Sequence, residues 1–273
     1  MPEISAKDVM ALRNQTGLSM MECKKALQEA NGDAAAAEEL LKKKMKGKMD
    51  TRTDRAAGEG RIAIALSKDG RNAAIVELRA ETDFTAKNDA FVNAAQKVAD
   101  MALASNAGDV SPSGDMTKVI DDLRISTGEN ISIGRVHKAE GGGNTMFGTY
   151  IHHDGKTGVL LQAEGSVSQD LAREICMHIT AAVPRPKGVT RDDVPQHVID
   201  KERRLAMEMA MEGGKNEEIA AKMVEGKINK LYSELALLEQ PFIKDDTKKI
   251  KDLLPKGSTV TAFYRWQVGE AAD

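Results

Sequence analysis

An α+β fold is predicted for this chain of 273 residues. Runs of alternating polarity such as RIAIALS (61–67) and STVTAFYRWQVGE (258–270) contrast with runs carrying apolar residues every three to four positions. The order of two alternating runs followed by a helical run occurs twice in the middle of the chain. A composition 41% apolar and 30% charged is that of a globular protein, and the length suits one large domain or two to three smaller ones.

Residues 1–46 read as three short helices. ISAKDVMALRNQTG, SMMECKKALQEANGD and AAAAEELLKKKM carry helical spacing and are separated by Gly17 and Gly32. Ser19 followed by Glu22 has capping-box spacing, which starts the second helix at about Met20. Residues 47–60 are expected to be a solvated linker of mixed helix and coil; the lysines of KKKMKGKMDTRTDRAAGEGR (42–61), the run that contains it, leave contact with RNA as a weaker alternative.

A first core subdomain is expected over 61–139. RIAIALS and AAIVELR flank Asp69 and Gly70 as a hairpin, and the helical run from Asp89 places Phe91, Ala95, Val98 and Ala102 on one face. A second subdomain is expected over 140–273. MFGTYIHH and TGVLLQAEG flank Asp154 and Gly155, and a helix from about Gln169 aligns Leu171, Ile175, Ile179 and Ala182. Between them, Ile131, Ile133 and Val136 predict a further strand, and PRPKG stops the later helix.

Within the second subdomain, residues 190–238 predict an antiparallel helical hairpin broken at Gly213 and Gly214. Its apolar positions are Val198, Leu205 and Met209 on one arm and Val224, Ile228, Leu231 and Leu235 on the other. The final alternating run predicts a half-buried strand with Trp266 in the core.

The two hairpin turns lie 85 positions apart but the helix faces only 80, so the first copy holds about five extra residues. They fall around Thr82, Asp83 and Phe84, where the second copy has only GSVS. An insertion in one of two like scaffolds is a candidate for function, although Phe84 folding back onto its own core is an equal alternative.

Signals for catalysis are absent. GEGRIA and AEGGGN lack phosphate-cradle spacing, and adjacent His152 and His153 are expected on opposite faces of a strand, which disfavours a shared metal. Glu174 and His178 are expected as a surface pair or a partly buried imidazole, and Cys23 as a buried helix residue. No metal site, cofactor or catalytic residue is expected. A net charge of -3 gives no general attraction to nucleic acid or anionic lipid, and no membrane span is expected. Two isolated cysteines and the lack of a targeting pattern in MPEISAKDVM fit a reduced, cytoplasmic setting.

TGLSMMECKKALQEANGD, ETDFTAKND, AAKMVEGKINK and LLEQPFIKDD together resemble the bacterial elongation factor Ts family, over essentially the whole chain. The resemblance implies a non-enzymatic guanine nucleotide exchange factor that binds GDP-loaded elongation factor Tu. It also implies a ubiquitin-associated-like N-terminal module, a core of two related subdomains and a protruding coiled coil. Thr82, Asp83, Phe84 and Thr85 match the family segment associated with Mg²⁺ dislocation in the partner, Thr85 standing where an apolar residue is common. Met20 and Met21 match partner-facing positions, with one of the two expected to serve the module's own core. His152 matches a further partner contact, with His153 as its rival. A homodimer in a two-plus-two complex is a possibility the resemblance leaves open. Many members continue beyond WQVGE into a C-terminal helical module, whose docking surface is expected to be missing here. The alternative function is an RNA- or ribosome-binding accessory module.

Overall fold

The computed structural model describes residues 4–271, without the side chains of Lys48 and Asp50; residues 1–3 and 272–273, the outer ends of the first and last predicted segments, lie outside the described residues. Three helices come first: α1 (Ala6–Thr16), α2 (Met20–Glu29) and α3 (Ala34–Asp50). The α2 cap is the one read from sequence. Glu22 N donates to Ser19 Oγ, and Ser19 N donates back to the Glu22 carboxylate. Val9, Leu12, Leu18, Cys23, Leu27, Ala37 and Leu41 form the core between these helices.

The predicted linker is more ordered than expected. α3 runs on to residue 50 and buries Met49, whose carbonyl accepts from Arg124 Nη2 at 3.0 Å. Arg52 Nη1 donates to Gly128 O at 2.6 Å, and Lys46 pairs with Asp121. Both contacts fasten the segment to α6 (Gly114–Thr127), so it is docked rather than freely solvated.

The centre consists of two antiparallel sheets with helices on their outer faces. The first has the order β1 (Glu59–Leu66), β2 (Asn72–Ala80), β4 (Ser132–Glu140), β3 (Gly108–Asp109). The second has the order β5 (Thr145–Ile151), β6 (Thr157–Glu164), β9 (Thr259–Gln267). Strand β2 shows why both faces are apolar. Ala74, Val76, Leu78 and Ala80 meet Phe91, Ala95 and Val98 of α5 (Asp89–Ala102) and Met116, Ile120 and Leu123 of α6. Ala73 and Ile75 point the other way, joining Ile62, Phe147 and Leu160 between the sheets. In the second sheet, Val159, Leu161 and Ala163 meet Ala172, Ile175 and Ile179 of α7 (Gln169–Ala181).

Each sheet adds its third strand to the second strand of a hairpin, and each junction contains a bulge. The register shifts after Glu77 in β2 and after Gln162 in β6, again 85 positions apart. Opposite the first shift, Gly134 has no room for a Cβ, which would meet Arg79 Nε at 2.7 Å and Glu77 Cδ at 3.1 Å. Glu77 is fully buried between the sheets. Burial pushes its pKa up, but the Gly269 N–H, Arg79 and Arg135 outweigh this and hold the carboxyl below its ordinary value. The three donors lie at 2.9, 2.7 and 2.7 Å. The second bulge changes the phase of β9, so Val260 and Phe263 share one face, and Tyr264 and Trp266 take the other. Trp266 is therefore only half-buried, with Arg135 stacked 4.7 Å from its ring centroid.

Helices α8 (Gln196–Glu212) and α9 (Glu217–Leu235) form the hairpin. The α9 seam contains Val224, Ile228 and Leu235, whereas α8 contributes Ile199, Ala206 and Ala210. Leu205 and Met209, expected in the seam, are exposed, because small alanines let the two helices approach along a neighbouring face. The hairpin's root is fixed by Leu237 N to Gly188 O and Lys187 N to Leu235 O. A 3₁₀ turn (Leu237–Glu239), β7 (Pro241–Phe242), β8 (Asp245–Lys249) and α10 (Ile250–Leu253) lead to β9.

On α7, His178 occupies the position corresponding to Val98, is buried, and has both ring nitrogens engaged. Nε2 lies 2.9 Å from Gln240 Oε1, and Ile243 N donates to Nδ1 at 3.2 Å. These partners select the Nε2–H tautomer. Burial lowers its pKa despite the opposing Gln240 bond. The unfolded chain takes up a proton near the ordinary value of about 6.5 while the folded chain does not, so stability falls as pH drops below that value. The urea midpoint should decline between pH 7.5 and 5.5, and His178→Gln should flatten that decline; an unchanged slope would exclude a buried neutral imidazole.

The hairpin's side chains pack mainly on one another, with Val194, Ile199, Ala206, Val224 and Ile228 in one cluster. Excising residues 204–224 and closing Arg203 onto its ion-pair partner Glu225 with a Gly-Gly turn should leave the sheets folded. Thermal unfolding followed by Trp266 fluorescence should shift by less than about 4 °C, the scale of 1 kcal/mol in a protein of this size. A global loss of cooperativity would place the hairpin in the core.

Candidate functional site

The five-residue excess is a one-turn helix, α4 (Asp83–Lys87), rather than an irregular loop. Thr82 begins it, its hydroxyl accepting from Thr85 N at 3.3 Å. Ala86 is buried beneath it in the core shared by Leu78 and Phe91. A single carboxylate holds the turn from the side. Glu129 accepts from Thr82 N at 3.1 Å, Thr82 Oγ1 at 2.7 Å and Thr85 Oγ1 at 2.7 Å. The polar Thr85 thus has a structural task. Next to this clamp, Glu81 accepts from Asn130 N, and Asn130 Nδ2 donates to the carbonyls of Thr53 and Arg55.

Phe84 does not fold back on its core. Its residue is 83% exposed, while Phe91 seven positions later is fully buried. An apolar ring left in water forgoes about 1.5–3 kcal/mol of burial. Asp83 stands beside it in a 2.7 Å ion pair with Lys87. Lys87, and the more distant Lys156, hold the Asp83 carboxyl below its ordinary pKa.

The charge of Lys156 reaches Asp83 because the β5–β6 turn sits close to α4. Ile62 N donates to Gly155 O at 2.9 Å, and Lys156 pairs with Glu59 at 2.6 Å. Gly155 takes φ +73°, and a Cβ there would meet Arg61 Nη1 at 2.7 Å. His152 and His153 belong to this turn, since β5 ends at Ile151. Their rings are therefore not on opposite faces of a strand but 4.3 Å apart. His152 is half-buried, 3.2 Å from Tyr150 Oη, and His153 is exposed. Among the described residues no group of three or more His, Cys, Asp or Glu is placed to hold a metal.

Met20 and Met21 are both exposed, at 41% and 75%. The expectation that one of them serves the helical module's core is overturned, because Leu18 and Cys23 fill that space. Cys23 and Cys176 are buried, and burial pushes the Cys176 thiol up, away from nucleophilic character. Glu174 pairs with Lys244 at 3.0 Å rather than with His178. No helix among the described residues is long and apolar enough to cross a membrane.

Glu129 was not singled out by the sequence. It lies 47 residues from Thr82, and its only local signal is the position after Gly128, the left-handed residue ending α6. Glu129→Ala should raise hydrogen exchange at the α4 amides by about tenfold or more, since each bond to a carboxylate contributes about 1.5–3 kcal/mol when shielded and less where solvent reaches it. Exchange unchanged from wild type would show that Ala86 alone seats the turn.

The family model described as elongation factor TS matches residues 81–270. Elongation factor Ts of Alkalilimnicola ehrlichii is 41% identical, over 99% of this chain and 94% of that protein. Elongation factor Ts of Thioalkalivibrio sulfidiphilus is 40% identical over 99% of this chain and 94% of its own length. The Thiobacillus denitrificans protein of the same name is 40% identical, over 100% of this chain and 94% of its own length.

Proposed function

The chain belongs to the elongation factor Ts family, and from that premise we propose that Phe84 is the wedge with which it opens the nucleotide site of its partner. Membership makes it a nucleotide exchange factor for elongation factor Tu in translation elongation. Such a factor works only by differential affinity: it binds the open or empty partner better than the closed, GDP-loaded one. The observation that carries the proposal is an exposed ring on a turn clamped at its base by Glu129.

Phe84 enters an apolar gap between partner helices and spreads them, while Asp83 makes polar contacts at the entrance. The partner's Mg²⁺ keeps a near-octahedral shell that tolerates little ligand displacement, so a small shift weakens GDP. Thr82 and Thr85 fix the angle of the turn. His152, on the neighbouring β5–β6 turn, and Met20 and Met21, on the N-terminal module, add contacts. His153 is the more exposed alternative to His152.

On this reading the protein makes and breaks no covalent bond, acts in the cytoplasm and needs no nucleic acid. Of the lysines leading into the linker, Lys42 pairs with Glu38, Lys44 with Glu29 and Lys46 with Asp121. The matching bulges and the 85-position offset support an origin of the two sheets by duplication. The three-helix packing supports a ubiquitin-associated-like module, and the self-packed hairpin a protruding coiled coil. The exposed apolar side chains of that hairpin offer a surface for a second copy in a two-plus-two complex.

Elongation factor Tu loaded with fluorescent GDP should release it roughly ten- to a hundredfold more slowly with Phe84→Ala than with wild type, the kinetic equivalent of losing about 1.5–3 kcal/mol. The variant should melt like wild type, because the ring contributes little to its own core. Equal release rates from a normally folded variant would refute the wedge.

A further inference from the structure

A cavity of about 860 Å³ lies away from α4, between β4 and β9. Ile133 and Val136 form part of one wall, Phe263 and Trp266 part of another, and the segment 184–187 closes a side. That is the size and mixed character of a small-molecule site.

Among the described residues its lining carries Arg135, Arg185, Lys187 and Arg265 together with Asp109 and Glu270. Arg185 and Arg265 converge on one carboxylate: Arg185 Nη1 donates to Glu270 Oε1 at 2.6 Å, and Arg265 Nη1 to Glu270 Oε2 at 2.9 Å. They also share Gln267 Oε1, at 3.2 and 3.0 Å. The Arg265 side chain is only 8% exposed, and its Nε has no acceptor among the described residues. Burial, and next to it the like charge of Arg185, lower the Arg265 pKa against the pull of Glu270. Arg135, which also lines the cavity, divides another carboxylate with Arg79, that of Glu77.

Among the described residues two guanidinium groups share the Glu270 carboxylate in a partly desolvated cleft, an arrangement that favours bidentate capture of an oxyanion. We propose that this cavity binds a small oxyanion, a phosphate or a carboxylate, whose charged end seats between Arg185 and Arg265 beside Trp266.

Trp266 is the sole tryptophan of the chain and lines the cavity, so its emission reports occupancy directly. Sodium pyrophosphate and sodium citrate, each titrated against sodium chloride of equal ionic strength, should give a saturable change for at least one anion. A response to pyrophosphate alone identifies phosphate chemistry, and one to citrate alone identifies carboxylate chemistry. Arg185→Gln, at a half-exposed side chain, should weaken binding at least tenfold, whereas Glu270→Gln, which removes the internal competitor, should strengthen it. Emission following ionic strength alone for both anions would overturn the proposal, as would an affinity unaltered by both substitutions. Neither outcome bears on Phe84, since elongation factor Tu is absent from the experiment.

Discussion

A buried carboxylate joins the two halves of this molecule. Glu77 sits where two sheets pack face to face, a place where an unpaired charge would be destabilising by several kcal/mol. It is accepted because Arg79, Arg135 and the Gly269 amide all donate to it. Arg79 belongs to β2, Arg135 to β4, and Gly269 follows β9, so one side chain fastens both sheets. The bulge at Gly134 makes the space, and Arg135 carries the link onward to Gln267 O and the Trp266 ring. With the sheets held in this relation, the β5–β6 turn and α4 become neighbours, although they come from different halves of the sequence.

The candidate site depends on a second carboxylate. An exposed phenylalanine gains by collapsing onto any apolar surface nearby, and a flexible loop would let it do so. Glu129 prevents this by taking both hydroxyls and one amide of the turn, while Ala86 anchors the turn from beneath. The side chain is thereby held preorganised in water, which is what the proposed wedge requires, its burial then being deferred until the partner supplies the surface. Such a device lowers the stability of the isolated protein slightly and adds the same free energy to binding. Differential binding of that kind is the form of work an exchange factor performs.

Local pattern made the helices and hairpins legible. Alternation located β1, β2, β5, β6 and β9, the Ser19–Glu22 pair located the start of α2, and the unequal offsets of 85 and 80 positions located α4. Long-range chemistry was not legible. Glu77 and Glu129 look like ordinary surface acids until the fold brings partners from 58 and 47 residues away. The α8 seam was misread because large residues were favoured over Ala206 and Ala210, although close helix packing selects small side chains. Residues 236–258 gave no periodic signal, since β7 and α10 are too short to complete a period. The exposure of both Met20 and Met21 was hidden by Leu18, which lies before the helix yet fills its core.

Fluorine NMR of 4-fluorophenylalanine placed at position 84 observes the ring itself. The account predicts a solvent-exposed resonance in the free protein, with a full H₂O-to-D₂O isotope shift, that moves and loses this shift when nucleotide-free elongation factor Tu is added. A ring already shielded from solvent in the free protein, or one that stays exposed in the saturated complex, would contradict it.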